Sequence, residues 1–182
     1  INHGFKLEQF RDIPKERINL IRSKYNIPNK TPIVGCISRY LELKGINYII
    51  EAFKKLRNDF PNAHLILCNA SGPYENEIKR LLQNLPTTAY TEIKFEADLF
   101  ALYQLFDVYI HVPINAKIEA FGQTYIEALA SKVPSVFTLS GIAKDFIVDE
   151  QNALVVSPKS SDSIYHGINR LLTEQDLKLK IA

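Results

Sequence analysis

Four charged side chains in this sequence stand where chemistry on a phosphorylated, hydroxyl-rich ligand would need them. Arg39 and Lys44 share one short loop, and Glu119 and Glu127 lie eight residues apart where a loop runs into a helix. A guanidinium fork and an ammonium on one loop suit a diphosphate, because both can reach oxygens that carry developing negative charge. On composition alone, both facing water is the better reading. Gly122 lets backbone approach a ligand closely. The amides of Phe121, Gly122, Gln123 and Thr124, at the helix start, offer a partial positive end to an anion or to hydroxyl oxygens. Carboxylates beside a diphosphate repel it unless they face other groups, and sugar and ribose hydroxyls are their natural donors. The arrangement describes an anion flanked by polyols. Two unrelated surface glutamates are the plain alternative.

The elements that must position these residues follow from the hydrophobic pattern. From Pro32 onward, short β-branched runs alternate with longer segments of helical spacing, the pattern of a parallel α/β sheet. Ile33 to Ser38 reads as a strand covered on both faces. Ile46, Ile49, Ile50, Phe53, Leu56 and Phe60 recur at spacings of three and four until Pro61 stops the helix. The alternation continues with a strand over 63–68, a helix over 75–85 and a strand over 92–95. A short helix capped by Asp98 runs through Phe106, and a strand covers 107–112. A loop over 113–120 leads into a helix from about Phe121 to Ser131. Strands over 134–138 and 153–156 and a helix over 161–172 complete the series. This is a Rossmann-like, doubly wound parallel sheet of about six strands, with right-handed crossovers. In such sheets ligands sit outside the carboxyl ends of the strands, and all four charged residues fall there. So do Asn69 to Gly72, Glu96 to Asp98 and Ser140-Gly141.

Composition removes other classes. The 182 residues are 46% hydrophobic and 23% charged, enough for one ordinary core. No apolar run reaches the roughly 18 to 20 residues that cross a bilayer, and no basic-then-apolar leader is present, so a soluble, cytoplasmic protein is expected. Net charge is only +2, which argues against a nucleic-acid partner. Residues 1–31 nevertheless carry seven Lys/Arg against three Asp/Glu. That basic stretch reads as a connector packed on the domain, its charges solvated or facing anionic lipid or a neighbouring domain. Cys36 and Cys68 sit in separate apolar runs as buried free thiols. The four His residues have no metal spacing, and His111 reads as a hydrogen-bonded core or rim histidine near the candidate loop. The chain starts at Ile1 and contains no Met, so a piece of a longer protein is expected.

The segment Glu119-Ala-Phe-Gly-Gln-Thr-Tyr-Ile-Glu127-Ala-Leu-Ala-Ser-Lys-Val-Pro134 resembles the Glu-x7-Glu signature of retaining GT-B glycosyltransferases, in particular family 4, the glycosyl transferases group 1. Ser38-Arg39 with Lys44-Gly45 is similar to the family's Gly-Arg…Lys-Gly loop. Asp107-Val108-Tyr109-Ile110 resembles its Asp-Val strand, Asn152 to Pro158 its Asn-Gly-x-Leu-Val-x-Pro ending, and Asn2-His3-Gly4 followed by Phe10 its hinge. The resemblance implies the carboxyl-terminal, nucleotide-sugar-binding half of a two-domain enzyme. A hinge segment would span 1–31, the donor-binding domain 32–172, and the start of a carboxyl-terminal helical segment 173–182. The missing amino-terminal half would bind the acceptor.

Carried over, Arg39 and Lys44 would hold the donor diphosphate and stabilise it as leaving group. Glu119 would contact donor-sugar hydroxyls, and the amides of Phe121, Gly122, Gln123 and Thr124 would meet the sugar and the distal phosphate. Glu127 would bind the ribose. No cofactor and no metal are implied, the nucleoside-diphosphate sugar being a substrate. The sole near match to an Asp-x-Asp metal site, Glu96-Ala97-Asp98, is explained by the helix cap. Ala120, Ser38, Ala153 and Asn69-Ala70 replace family glycines, while all four charged positions are kept.

The expected activity is sugar transfer to an acceptor hydroxyl with retention, in cell-surface polysaccharide or glycolipid synthesis. Peripheral membrane contact would come through the rest of the protein, and this fragment alone is expected to be inactive. The alternative is a non-catalytic nucleotide-sugar-binding sensor or scaffold. A receiver domain would need acidic residues where Ser38 and Arg39 stand, and an esterase would need a Gly-x-Ser-x-Gly elbow that is absent.

Overall fold

The computed structural model describes residues 7–119 and 122–182. Six strands form one sheet: β1 (Ile33–Ile37), β2 (His64–Cys68), β3 (Tyr90–Ile93), β4 (Val108–His111), β5 (Ser135–Phe137) and β6 (Leu154–Val155). Their spatial order is β3-β2-β1-β4-β5-β6, and every neighbouring pair is parallel. This is the doubly wound order, with helices on both faces.

Alternation along the strands assigns side chains to two cores. Val34 and Cys36 of β1 point to the face covered by α2 (Ile46–Asp59), α3 (Glu75–Leu82) and α6 (Ser161–Thr173). Ile33 and Ile37 point to the opposite face, under α1 (Lys15–Lys24), α4 (Leu99–Tyr103) and α5 (Gln123–Ala130). The chain closes with α7 (Gln175–Ile181). All five residues of β1 are buried, which is why its sequence shows no polar alternation. The predicted stripe on α2 is the buried one: Ile46, Ile49, Ile50, Phe53 and Leu56 are at most 1% exposed. Truncating a side chain such as Phe53 to Ala would cost about 3–5 kcal/mol. Cys36 and Cys68 are free and buried on opposite faces of the sheet. Burial pushes their thiols up, to about 12 and about 11.

Most boundaries shift by one to three residues from the sequence reading, and two of the differences bear on the site. Strand β3 ends at Ile93, paired with Cys68, instead of running to Phe95. The chain leaves the sheet edge there, and Phe95 is 74% exposed. The loop that follows is held by α1 and by Tyr25 at its end. Lys24 Nζ and Tyr25 Oη bond Glu96 Oε2 at 2.7 and 2.8 Å, and Arg17 forks onto both oxygens of Asp98 at 2.9 and 2.6 Å. Two of the basic charges in the connector are thus paired with the loop after β3. Asp98 also caps α4 by accepting from the Ala101 amide, as expected. The second difference is the start of α5 at Gln123. Gly122 has φ +63°, a left-handed conformation that stops the helix from beginning earlier. Phe121 and the hinge-like Asn2-His3-Gly4 lie outside the described residues.

Candidate functional site

The connections after β1 and β4 meet at the carboxyl edge of the sheet. After β1, Ser38 is buried and Arg39 is exposed. A single 3-10 turn, Glu42–Lys44, then leads to Gly45 at φ +70°. A Cβ on Gly45 would lie 2.3 Å from the Val112 carbonyl oxygen, so only glycine lets the β1 connection pack on the end of β4. The Ile114 amide donates to the Leu43 carbonyl at 3.0 Å and closes the junction.

That junction brings Lys44 to Glu119, 75 residues later. Lys44 Nζ stands 2.5 Å from Glu119 Oε1. The same oxygen receives His111 Nε2, at the end of β4, at 2.9 Å. Glu119 is placed from below by the loop after β5. Ser140 Oγ accepts from the amides of Ile118 and Glu119 at 3.1 and 3.0 Å. Gly141 at φ +60° donates its amide to the Ala116 carbonyl at 2.9 Å. A Cβ there would come within 2.0 Å of the Glu119 carbonyl oxygen.

The electrostatics of Glu119 follow from this placement. Burial pushes its carboxyl up, but the hydrogen bonds from His111 and Lys44 outweigh that and hold it down at about 2. Burial depresses His111, against the opposing pull of Glu119, so its imidazole is neutral at pH 7 and Nε2–H is the donor. Its ring is also fixed edge-on to Tyr125, with centroids 4.7 Å apart and planes at 90°. Both bonds fall on Oε1, and Oε2 of Glu119 has no hydrogen-bond partner among the described residues.

Glu127 sits in a different environment, just over one turn into α5. It is 8% exposed, accepting from Tyr103 Oη at 3.1 Å and from Gln123 Nε2 at 2.9 Å. No cation reaches it among the described residues, and burial raises its carboxyl above the ordinary value. The first-turn amides of α5, Gln123 and Thr124 among them, lie at the end of a helix where no intrahelical acceptor exists. The Gln123 side chain points back to Glu127, so this residue is tied to the carboxylate as well as to the helix start. Arg39 and Glu127 neither hydrogen-bond nor ion-pair with Lys44 or Glu119 among the described residues. The structure therefore joins Lys44 to Glu119 directly and leaves Arg39 open at the rim.

Sequence reasoning passed over the tie between His111 and Glu119. The available signal was position, since His111 is the last residue of a strand whose exit loop carries Glu119. Ser140 and Gly141 follow a strand in the sequence, but their hold on the Glu119 backbone is not legible there.

With this geometry in hand, comparison with known proteins is decisive. A family model described as glycosyl transferases group 1 matches residues 17–182. The chain belongs to the glycosyl transferases group 1. Within this group it is 27% identical, over 94% of its length, to a GDP-mannose-dependent alpha-(1-6)-phosphatidylinositol monomannoside mannosyltransferase of Mycolicibacterium smegmatis. A glycosyltransferase from Rickettsia africae superposes with a TM-score of 0.87 at 26% identity over 98% of the chain. The carboxyl-terminal domain of a group 1 protein from Francisella tularensis superposes at 0.81, also with 26% identity, and is itself 92% covered. The chain spans about half the length of the longer relatives it matches, 46% of the mannosyltransferase and 48% of the rickettsial protein. The group 1 chain thus has the fold of one Rossmann-like half of a GT-B glycosyltransferase.

Proposed function

We propose that this chain is the donor-binding half of an enzyme that transfers a sugar from a nucleoside diphosphate to an acceptor hydroxyl. We assign it retention of anomeric configuration and independence of a divalent metal. The observation that carries the proposal is the contact of Lys44 with Glu119 between the β1 and β4 connections. Strands β1 and β4 are neighbours from which the chain winds in opposite directions, so the crevice between their exits is where a doubly wound sheet binds its ligand.

In this reading, Arg39 and Lys44 hold the diphosphate and stabilise the charge that grows on it as the bond to the anomeric carbon breaks. Lys44 reaches the phosphates by turning part of its ammonium from Glu119, which its flexible four-carbon stem permits. Glu119 accepts hydroxyls of the sugar through Oε2. The start of α5, from Phe121 through Gly122 and Gln123 to Thr124, faces the sugar and the distal phosphate. Glu127 takes the ribose hydroxyls once Gln123 Nε2 yields its place. The base stacks on Phe95, an exposed aromatic at the exit of β3 on the same edge of the sheet. Glu96 and Asp98 are engaged by Lys24 and Arg17, which supports a structural role for this pair in preference to metal binding.

The acceptor site belongs to the half of the enzyme outside this chain, so we expect the chain alone not to transfer sugar. No described helix is long and apolar enough to cross a membrane. Peripheral contact, and a place in polysaccharide or glycolipid synthesis, would come through the rest of the protein. GDP-mannose is the first donor to test, given the mannosyltransferase relative. The full-length protein, supplied with GDP-mannose, UDP-glucose and related donors in the presence of EDTA, should release nucleoside diphosphate only with acceptor present. NMR of the product should show the donor's anomeric configuration. Donor binding without transfer to any acceptor would instead make the protein a sensor or scaffold.

A further inference from the structure

Glu119 has two donors on one oxygen, and they differ in rigidity. Lys44 is a flexible ammonium with 20% of its side chain exposed, and it stands beside the crevice where we place the diphosphate. His111 has 3% of its side chain exposed. Its backbone is fixed by parallel pairing with Phe137, and its carbonyl accepts from the Thr138 amide at 3.2 Å. Its ring is held against Tyr125, whose own hydroxyl donates to the Thr138 carbonyl at 2.6 Å. When Lys44 turns to a phosphate, the donor that stays on Glu119 Oε1 is therefore His111.

We propose that His111 is the positioning residue for Glu119, pinning Oε1 through Nε2–H so that Oε2 keeps one orientation toward the donor-sugar hydroxyls whether or not Lys44 is engaged. A neutral imidazole suits this task. It fixes direction without cancelling the carboxylate's charge, so Glu119 remains a strong acceptor, whereas a second cation would compete with the sugar hydroxyls. The demand is also geometric: a ring on a buried strand returns to one place, and a lysine stem does not.

The proposal rests on the donor-site reading above, and the experiment separates the two. In the full-length protein, calorimetry measures the affinity for GDP against GDP-mannose and for UDP against UDP-glucose. The ratio within the pair that binds is the contribution of the sugar. His111→Gln keeps a donor nitrogen near the Nε2 position, whereas His111→Asn places its donor near Nδ1. We expect Gln to preserve the sugar contribution and Asn or Leu to reduce it by about tenfold or more, the scale of a hydrogen bond to a charged group. Affinity for the bare diphosphate should stay within about twofold in all three, because a positioning role does not touch the phosphates. A general loss of packing would instead weaken both ligands together. If His111→Leu does not fold, the Gln and Asn pair carries the comparison. An unchanged sugar contribution in His111→Asn, or equal losses in Gln and Asn, overturns the positioning role while leaving the donor site intact. A parent protein that binds none of the four nucleotides overturns the donor-site reading and this one with it.

Discussion

Glu119 and Glu127 stand eight residues apart, yet their surroundings push their acidities in opposite directions: Glu119 is held down at about 2 and Glu127 is raised. Burial opposes ionisation at both. Only at Glu119 do a lysine and a histidine overcome it. Glu127 has a tyrosine hydroxyl and an amide, both neutral donors. One carboxylate is thus fixed as an ion and the other is kept at a cost in stability, which separates their roles.

Substituting Lys44 by Ala in the full-length enzyme should depress kcat by tens to thousands of fold. Losing one donor to the charge that develops on the leaving group costs on the order of 2.7–4 kcal/mol of transition-state stabilisation. Arg39→Ala should act in the same direction, and its exposed side chain makes it the cleaner test because folding is not disturbed. Steady-state kinetics giving a near-parental kcat for Arg39→Ala would remove it from the leaving-group machinery.

Glu127→Gln should trade binding for stability. Burial raises the Glu127 carboxyl, so its charged form is disfavoured in the folded chain, and that burden is relieved as pH falls through its folded pKa. The neutral amide removes the burden at pH 7, so thermal melting should occur at the parental temperature or above it. Nucleoside diphosphate affinity by calorimetry should fall at the same time. A lower melting temperature with full affinity would contradict both halves.

Acid should unfold the chain in two stages. His111 and His64 are both depressed below their ordinary 6.5 by burial, so the unfolded chain binds more protons than the folded one as pH drops past that value. Stability is therefore lost first from about pH 6.5 downward. Glu119 is depressed from 4.5 to about 2, so its contribution is complete above about pH 4.5 and lost between there and 2. Urea midpoints measured across this range should show the second loss diminished in Glu119→Gln. An identical acid limb in that variant would show that the ion pair with Lys44 contributes nothing to folding.

Phe95→Ala should weaken nucleoside diphosphate binding by about 1–3 kcal/mol, the usual worth of stacking a base on an aromatic ring. Because the ring is 74% exposed, its loss should leave the melting temperature unchanged. Affinity at the parental level would move the base elsewhere on the edge of the sheet.

What the sequence determined by itself were the alternation of strands and helices, the doubly wound class, the exit loops that carry Arg39, Lys44 and Glu119, and the helix that carries Glu127. Each of these is written in spacings of a few residues: the buried run of β1, the three-and-four stripe of α2, the Asp98 cap. Strand β3 shows the limit. The sequence reading carries that strand on to Phe95, whereas the chain leaves the sheet after Ile93, and ion pairs from α1 across 72 and 81 residues hold the loop that follows. Tertiary structure alone decided which donor meets which oxygen. Lys44 and His111 converge on Glu119 Oε1 because Gly45 and Gly141 allow three strand exits to close on one another, and such an approach depends on strand order, which no local pattern encodes.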